Sequence, residues 1–279
     1  MSVVLALLSS VVWGSSDFAA GLLSKRLAVL AVVGWSQAIG LTAVSIVVAF
    51  QGLPSAAFYA WAPWAFAAGI CGTLGLLAFY RALATGTMGV VAPIAALGTA
   101  IPVLLGVLTG DQPSVFAWLG IVVAILGVAL ASGPELQQGL SARPVLLAAL
   151  AAFGFGLTLF AIDRGSRVTL LHTLWGMRLT SCFGFALMAV GTRSLGADPR
   201  GSLRWLAGIG IADLGANALF GAASSMGMVS VTAVIGSLYP VVTVLLARRI
   251  LAERLRSVQV VGVVVAMTGV VLIAGSGAG

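Results

Sequence analysis

Charge is what this chain has least of. Only 8% of its 279 residues are Asp, Glu, Lys or Arg, and His172 is the single histidine. A water-soluble domain carries about 25% charged residues, so this chain cannot cover itself with a wettable surface. A soluble fold is excluded. The two cysteines, Cys71 and Cys182, lie in apolar stretches without CxxC spacing, which excludes a dithiol or zinc motif and leaves small packing residues. No Walker loop, HExxH, GxSxG or metal-spaced cluster occurs, so no cofactor, no metal and no catalytic residue is expected, and the chain is not read as an enzyme. The basic surplus, 14 Lys+Arg over 7 Asp+Glu, is scattered singly or in short clusters. In a membrane protein such residues orient loops, and no nucleic-acid partner is implied.

What fills the chain instead is apolar. Hydrophobic residues make up 61% of it and the mean hydropathy is +1.16. Apolar runs of membrane-spanning length are predicted at about 3–23, 29–50, 61–82, 88–109, 114–132, 144–162, 170–192, 203–225, 229–250 and 257–274. The run at Val3–Leu23 has no basic segment before it and exceeds a signal-peptide core, so it reads as a retained first span. The 36 glycines are about twice the usual share and suit helices that pack closely in lipid.

The chain also repeats itself. Residues 111–133 (DQPSVFAWLGIVVAILGVALASG) reappear 142 positions later as 253–275 (ERLRSVQVVGVVVAMTGVVLIAG), with Gly120 on Gly262, Gly127 on Gly269 and Gly133 on Gly275. The offset holds elsewhere: Gly14 and Phe18 fall on Gly156 and Phe160, and at 141 Gly69 and Phe79 fall on Gly210 and Phe220. Two copies of one unit follow, placed at 1–133 and 144–279 around a linker at 134–143. Five spans per copy is an odd number, so the second copy lies upside down relative to the first. The expected fold is an all-α integral membrane protein of ten transmembrane helices in two inverted five-helix repeats. Such repeats mark secondary transporters with a substrate site near the midplane.

WGSSDFAAGLLSKR at 13–26, YRALATGT at 80–87 and YPVVTVLLARRILAERL at 239–255, together with the five-plus-five pattern, resemble the EamA family of the drug/metabolite transporter superfamily. The first half departs from the pattern in one place. Pro102 precedes Asp111 by nine residues, whereas Pro240 precedes Glu253 by thirteen, so pairing Gly98–Pro102 with Gly236–Pro240 needs a local offset of 138.

A charge at the centre of a spanning helix costs about 2.5–3.5 kcal/mol, so the intramembrane charges point to function. Three lie well inside the predicted spans: Asp17, Arg178 and Asp213. Asp17, with Ser16 and Trp13 nearby, either faces a cavity, taking a substrate amine or a proton, or pairs with Arg178, or lies near enough to the interface to meet water. Arg178 either holds a substrate carboxylate or serves as the structural partner of Asp213 or Asp17. Asp213 and Asn217 share one helical face. With two acids and one arginine, one carboxylate lacks a basic partner, and Asp17 and Asp213 are therefore the proton-coupling candidates. Ser36 and Gln37 form a polar patch in the second span, Ser36 being the repeat mate of Arg178. Trp13, Trp175 and Tyr239 are candidate cavity walls. Pro93, Pro102 and Pro240 are candidate helix breaks or gates. His172 reads as an interfacial anchor.

Eleven Lys and Arg fall in odd-numbered loops against two, Arg164 and Arg167, in even ones. That bias puts both termini outside, whereas the resemblance implies both inside. The expected function is secondary transport of small metabolites, most readily export of amino acids or related compounds across a bacterial inner membrane, by alternating access and with possible proton coupling. The expected partners are a small-molecule substrate and the bilayer, with the protein a monomer or homodimer. A passive channel, a nucleotide-sugar carrier and a lipid enzyme are the rivals.

Overall fold

In lipid every backbone donor and acceptor must be satisfied within the protein, which favours helices. The computed structural model describes residues 1–24, 26–52, 58–85, 94–131, 142–192, 200–250 and 257–276, and among these it is helical throughout with no strand. In chain order come α1 (Ser2–Ser24), α2 (Val29–Gln51) and α3 (Phe58–Thr85), then a 3₁₀ turn at Leu97–Thr99 leading into α4 (Ala100–Leu108), and α5 (Val115–Ala131). A helical stretch Ala142–Thr192 is broken at Thr169, whose φ of −159° and ψ of 112° are extended; its arms are α6 (142–168) and α7 (170–192). Then follow α8 (Leu203–Met226), α9 (Val229–Gly236), α10 (Tyr239–Ile250) and α11 (Ser257–Gly275).

Five described stretches are long and apolar enough to cross a membrane, namely Ser2–Ser24, Val29–Gln51, Phe58–Phe79, Arg143–Gly191 and Leu203–Met226. Shorter apolar helices cover Ile94–Leu108, Val115–Leu130, Val229–Thr243 and Ser257–Ile273. The 49-residue stretch would be about 74 Å long if straight, more than twice the roughly 30 Å hydrocarbon core. It reverses instead. A Cβ on Gly72 or Gly75 of α3 would meet Thr158 or Phe155 of α6, in descending order, while one on Gly69 would meet Thr180 of α7 and one on Gly176 would meet Ala65, in ascending order. The predicted seven-residue loop between these spans thus shrinks to one extended residue. His172 holds the corner, with Nδ1 3.0 Å from Thr169 Oγ1 and Nε2 3.1 Å from the Gly52 carbonyl at the end of α2. The predicted span 229–250 is likewise two helices, with Ser237 and Leu238 between them. Leu97–Thr99 interrupts the preceding half at the matching place under the offset of 138.

The halves face each other across a pseudo-two-fold axis, and reciprocal contacts define it. A Cβ on Gly127 of α5 would fall on the backbone of Ala266 in α11, and one on Gly269 of α11 would fall on the backbone of Ala124 in α5. Both pairs are related by the offset of 142. Ser16 Oγ donates to the Ile209 carbonyl at 3.2 Å, and its repeat mate Thr158 donates to the carbonyl of Ala68, the mate of Ile209, at 3.4 Å. Trp13 stacks on Phe220 at 5.8 Å between ring centroids, and their mates Phe155 and Phe79 meet at 5.6 Å. Each half therefore packs its helices against those of the other half.

At one end, charge closes the bundle. Asp163 is fully buried and pairs with Arg167 at 3.0 Å, whose Nη2 also donates to the carbonyls of Ser224 and Gly227 at the end of α8, both at 3.0 Å. Asp111 Oδ2 accepts from the Ser230 N–H at 2.9 Å, capping the first turn of α9.

The glycine contacts on the axis make a direct prediction. Helical Gly→Ala normally gains up to about 1 kcal/mol. Gly127→Ala and Gly269→Ala should instead each lose about 1–3 kcal/mol through overpacking, read as a lowered midpoint of thermal unfolding in detergent. Gly208→Ala, where a Cβ meets nothing within 4 Å, should hold or raise the midpoint.

Candidate functional site

Between the halves lies a cavity of about 150 Å³, far above the ~10–15 Å³ that one water needs. It is bounded by α1, α2, α3, α6, α7, α8 and the two interrupted segments at Ala95–Thr99 and Gly236–Tyr239.

Its polar end is assembled around Asp213. Asn217 lies one turn further along α8, and its Nδ2 donates to the Asp213 carbonyl at 2.7 Å and to Oδ1 at 3.3 Å. Three other helices reach the same carboxylate. Trp13 Nε1 of α1 donates to Oδ1 at 3.2 Å, Gln37 Nε2 of α2 to Oδ2 at 3.4 Å, and Arg178 Nη2 of α7 to Oδ2 at 2.7 Å. Arg178 Nη1 also donates to Gln37 Oε1. Arg178 is only 2% exposed, and a cation so deep requires this compensation. Between the two partners that the sequence offered it, Arg178 takes Asp213.

Asp17 is the carboxylate left over. It stands one turn beyond Trp13 on α1 and lines the cavity, and among the described residues no hydrogen bond or ion pair reaches it. The polar end thus holds two carboxylates against one guanidinium. Tyr239, also on the lining, opens α10 directly after the helix break. A Cβ on Gly14 would come within 2.5 Å of the Tyr239 carbonyl, so the Trp13–Gly14 pair lets α1 approach the break that closely.

The cavity brings together Trp13, Asp17, Gln37, Arg178, Asp213, Asn217 and Tyr239. Ser16, Ser36 and Trp175 lie off its lining. Ser16 is bonded across the halves as described above. Ser36 Oγ donates to the Val33 carbonyl at 2.9 Å within its own helix, and Trp175 Nε1 donates to Ser45 Oγ at 3.0 Å. Pro102 and Pro240 occupy the first turns of α4 and α10, where a missing N–H costs least, so each starts a helix after an interruption. Pro93 lies outside the described residues.

Several lining residues escape sequence reasoning. Leu76, Phe79, Phe155 and Phe185 pack together as the apolar end, Leu159 lies one turn along α6 in the cluster of Trp13 and Met177, and the buried Oγ1 of Thr73 has no partner among the described residues. An apolar side chain on a spanning helix reads the same whether it faces lipid or a cavity. The one usable signal was the repeat, because Phe155 and Leu159 are the mates of Trp13 and Asp17. Among the described residues no group of three or more His, Cys, Asp or Glu could hold a metal ion.

Comparison with known proteins adds the following. Residues 1–133 and residues 142–275 match the model of the EamA-like transporter family. No curated protein matches the chain. A solved crystal structure of another protein is similar to it with a TM-score of 0.80 at 18% identity, over 97% of this chain and 95% of the other. At that identity the likeness is one of fold.

The wiring around Asp213 separates the two acids by experiment. Asp213→Ala strands a buried Arg178 and should cost about 3–5 kcal/mol, while Asp17→Asn should change stability by less than about 1 kcal/mol. Thermal unfolding in a common detergent reads both. Equal losses would contradict the assignment of Asp213 as the partner of Arg178.

Proposed function

This chain belongs to the EamA-like transporter family, matched over both of its halves, and on that premise we propose that it is a secondary transporter exporting amino acids or related small zwitterions. The family places it among multi-pass membrane proteins that move small solutes. The helix breaks on both sides of the cavity, the reversal at Thr169 and the reciprocal packing of the halves support ten crossings arranged as inverted repeats. Alternating access then follows from rocking one half against the other around the midplane cavity, in the inner membrane of a bacterium.

One observation carries the chemistry: an uncompensated carboxylate, Asp17, beside the neutralised Arg178–Asp213 pair. An ammonium group entering the polar end finds Asp17 as its counter-ion. A carboxylate on the same solute meets the field of Arg178 and the hydroxyls of Thr73 and Thr99. In the absence of substrate the same unpaired carboxylate can take up a proton. Competition between proton and ammonium for one carboxylate couples export to proton entry. A nucleotide-sugar carrier would need several cationic side chains for its phosphates, and Arg178 is the one cation on the described lining.

Reconstitution into vesicles tests this. Vesicles preloaded with unlabelled amino acid should accelerate entry of the same labelled amino acid, which a passive channel does not do. An imposed proton gradient should drive accumulation, and Asp17→Asn should retain the fold while losing that drive by at least about tenfold, the effect of ~1.4 kcal/mol. Gradient-driven accumulation that survives in both Asp17→Asn and Asp213→Asn would rule out proton coupling through these acids.

A further inference from the structure

The cavity is a duplicated site of which one copy has lost its polarity. Under the repeat offsets, four residues of the polar end have mates that also line the cavity. Trp13 maps to Phe155 and Asp17 to Leu159 at 142, while Asp213 maps to Gly72 and Asn217 to Leu76 at 141. The mates keep the same contacts between the halves, since the Phe155–Phe79 ring pair at 5.6 Å copies the Trp13–Phe220 pair at 5.8 Å. What differs is chemistry. Every hydrogen-bonding or charged group of the first set is replaced in the second by a carbon side chain or by none. Arg178 follows suit, its mate Ser36 having turned its hydroxyl onto its own helix.

We infer that this asymmetry sets substrate selection: the cavity takes solutes with one charged head and an uncharged apolar tail, and Leu159, Leu76 and Gly72 are the residues that exclude a charged second end. The inference rests on the reading of the cavity as an amino-acid site and narrows it to amino acids with apolar side chains. The head sits at Asp17. The tail lies against Leu76, Phe79, Phe155, Leu159 and Phe185, where it leaves water without stranding any polar group of the protein. A charged tail placed there would be desolvated with no partner, which disfavours it strongly. Thr73 is the only unpartnered buried hydroxyl on the described lining, and it is left to meet the solute.

The test is competition in vesicles exchanging labelled leucine. Unlabelled leucine and phenylalanine should compete best. Lysine and glutamate, which carry a second charge, should be weaker by at least about tenfold, in line with the cost of burying an unpaired charge. Glycine should also be weaker, for want of a tail. Leu159→Asp rebuilds the missing carboxylate and should raise lysine competition by about tenfold relative to leucine. If that variant fails to fold, Leu76→Asn supplies a milder polar mate with the same direction of change, and the wild-type series decides by itself. Lysine and glutamate competing within about twofold of leucine would overturn the selection rule while leaving amino-acid exchange intact. No exchange with any amino acid would instead remove the amino-acid reading, and the selection rule with it.

Discussion

A buried guanidinium sets the terms for everything around it. Arg178 is itself almost fully buried, and its charge holds there because Asp213 lies 2.7 Å away. That pair costs two desolvations, and its usefulness is in specificity of arrangement more than in net stability. Asp213 in turn draws in Gln37, Trp13 and Asn217, so four helices from both halves register on one carboxylate. With Asp213 engaged, Asp17 has no cation to answer it. The unpaired carboxyl group in the cavity is thus a consequence of where the arginine found its partner.

The same economy appears in the packing. A chain this apolar gains little from hiding hydrophobic groups from lipid, so helix association rests on close contact and polar bonds. The outward faces of α5 and α11 carry exposed Leu126, Val264 and Val271, while their inward faces present Gly127, Ala124, Gly269 and Ala266. The hydroxyls of Ser16 and Thr158 reach backbone carbonyls on the opposite half. Other such bonds cross between the halves without a pseudo-symmetric copy, as from Ser9 to the Ala216 carbonyl and from Thr243 to that of Gly14.

Much of this was legible in the sequence. The offset of 142 announced the two halves, and the high cost of intramembrane charge singled out Asp17, Arg178 and Asp213. The local offset of 138 at Pro102 and Pro240 was visible too, and the structure gives it a meaning, since both prolines begin helices after interruptions of the chain. Other features were not legible. The polar break at 163–169 marked a boundary between two spans, but not that the chain would stay helical up to one extended residue, Thr169, inside a 51-residue helical stretch, because the contacts of two arms with α3 outweigh local preference. Asp163 and Arg167 looked like loop residues and prove to be an ion pair on helix, with Asp163 fully buried and Arg167 exposed. Ser36 and Trp175 looked like cavity residues by symmetry and residue type, yet hydrogen bonds within reach of each turn them elsewhere. The apolar wall of the cavity carried no mark of its own.

The glycine contact between α5 and α11 has a consequence for motion. It lies on the axis that exchanges the two halves, so Gly127 against Ala266 becomes Gly269 against Ala124 when their roles are swapped. Under the alternating access proposed above, an interaction that maps onto itself would have the same free energy in the inward-facing and outward-facing forms, and could therefore be made as tight as sterics permit without tilting the balance between them. It works as the fulcrum of a seesaw. Contacts away from that point, such as Asp163 with Arg167, whose repeat mates begin with Gly21, have no twin of like chemistry at the far end, and on the proposed mechanism they would set the resting tilt.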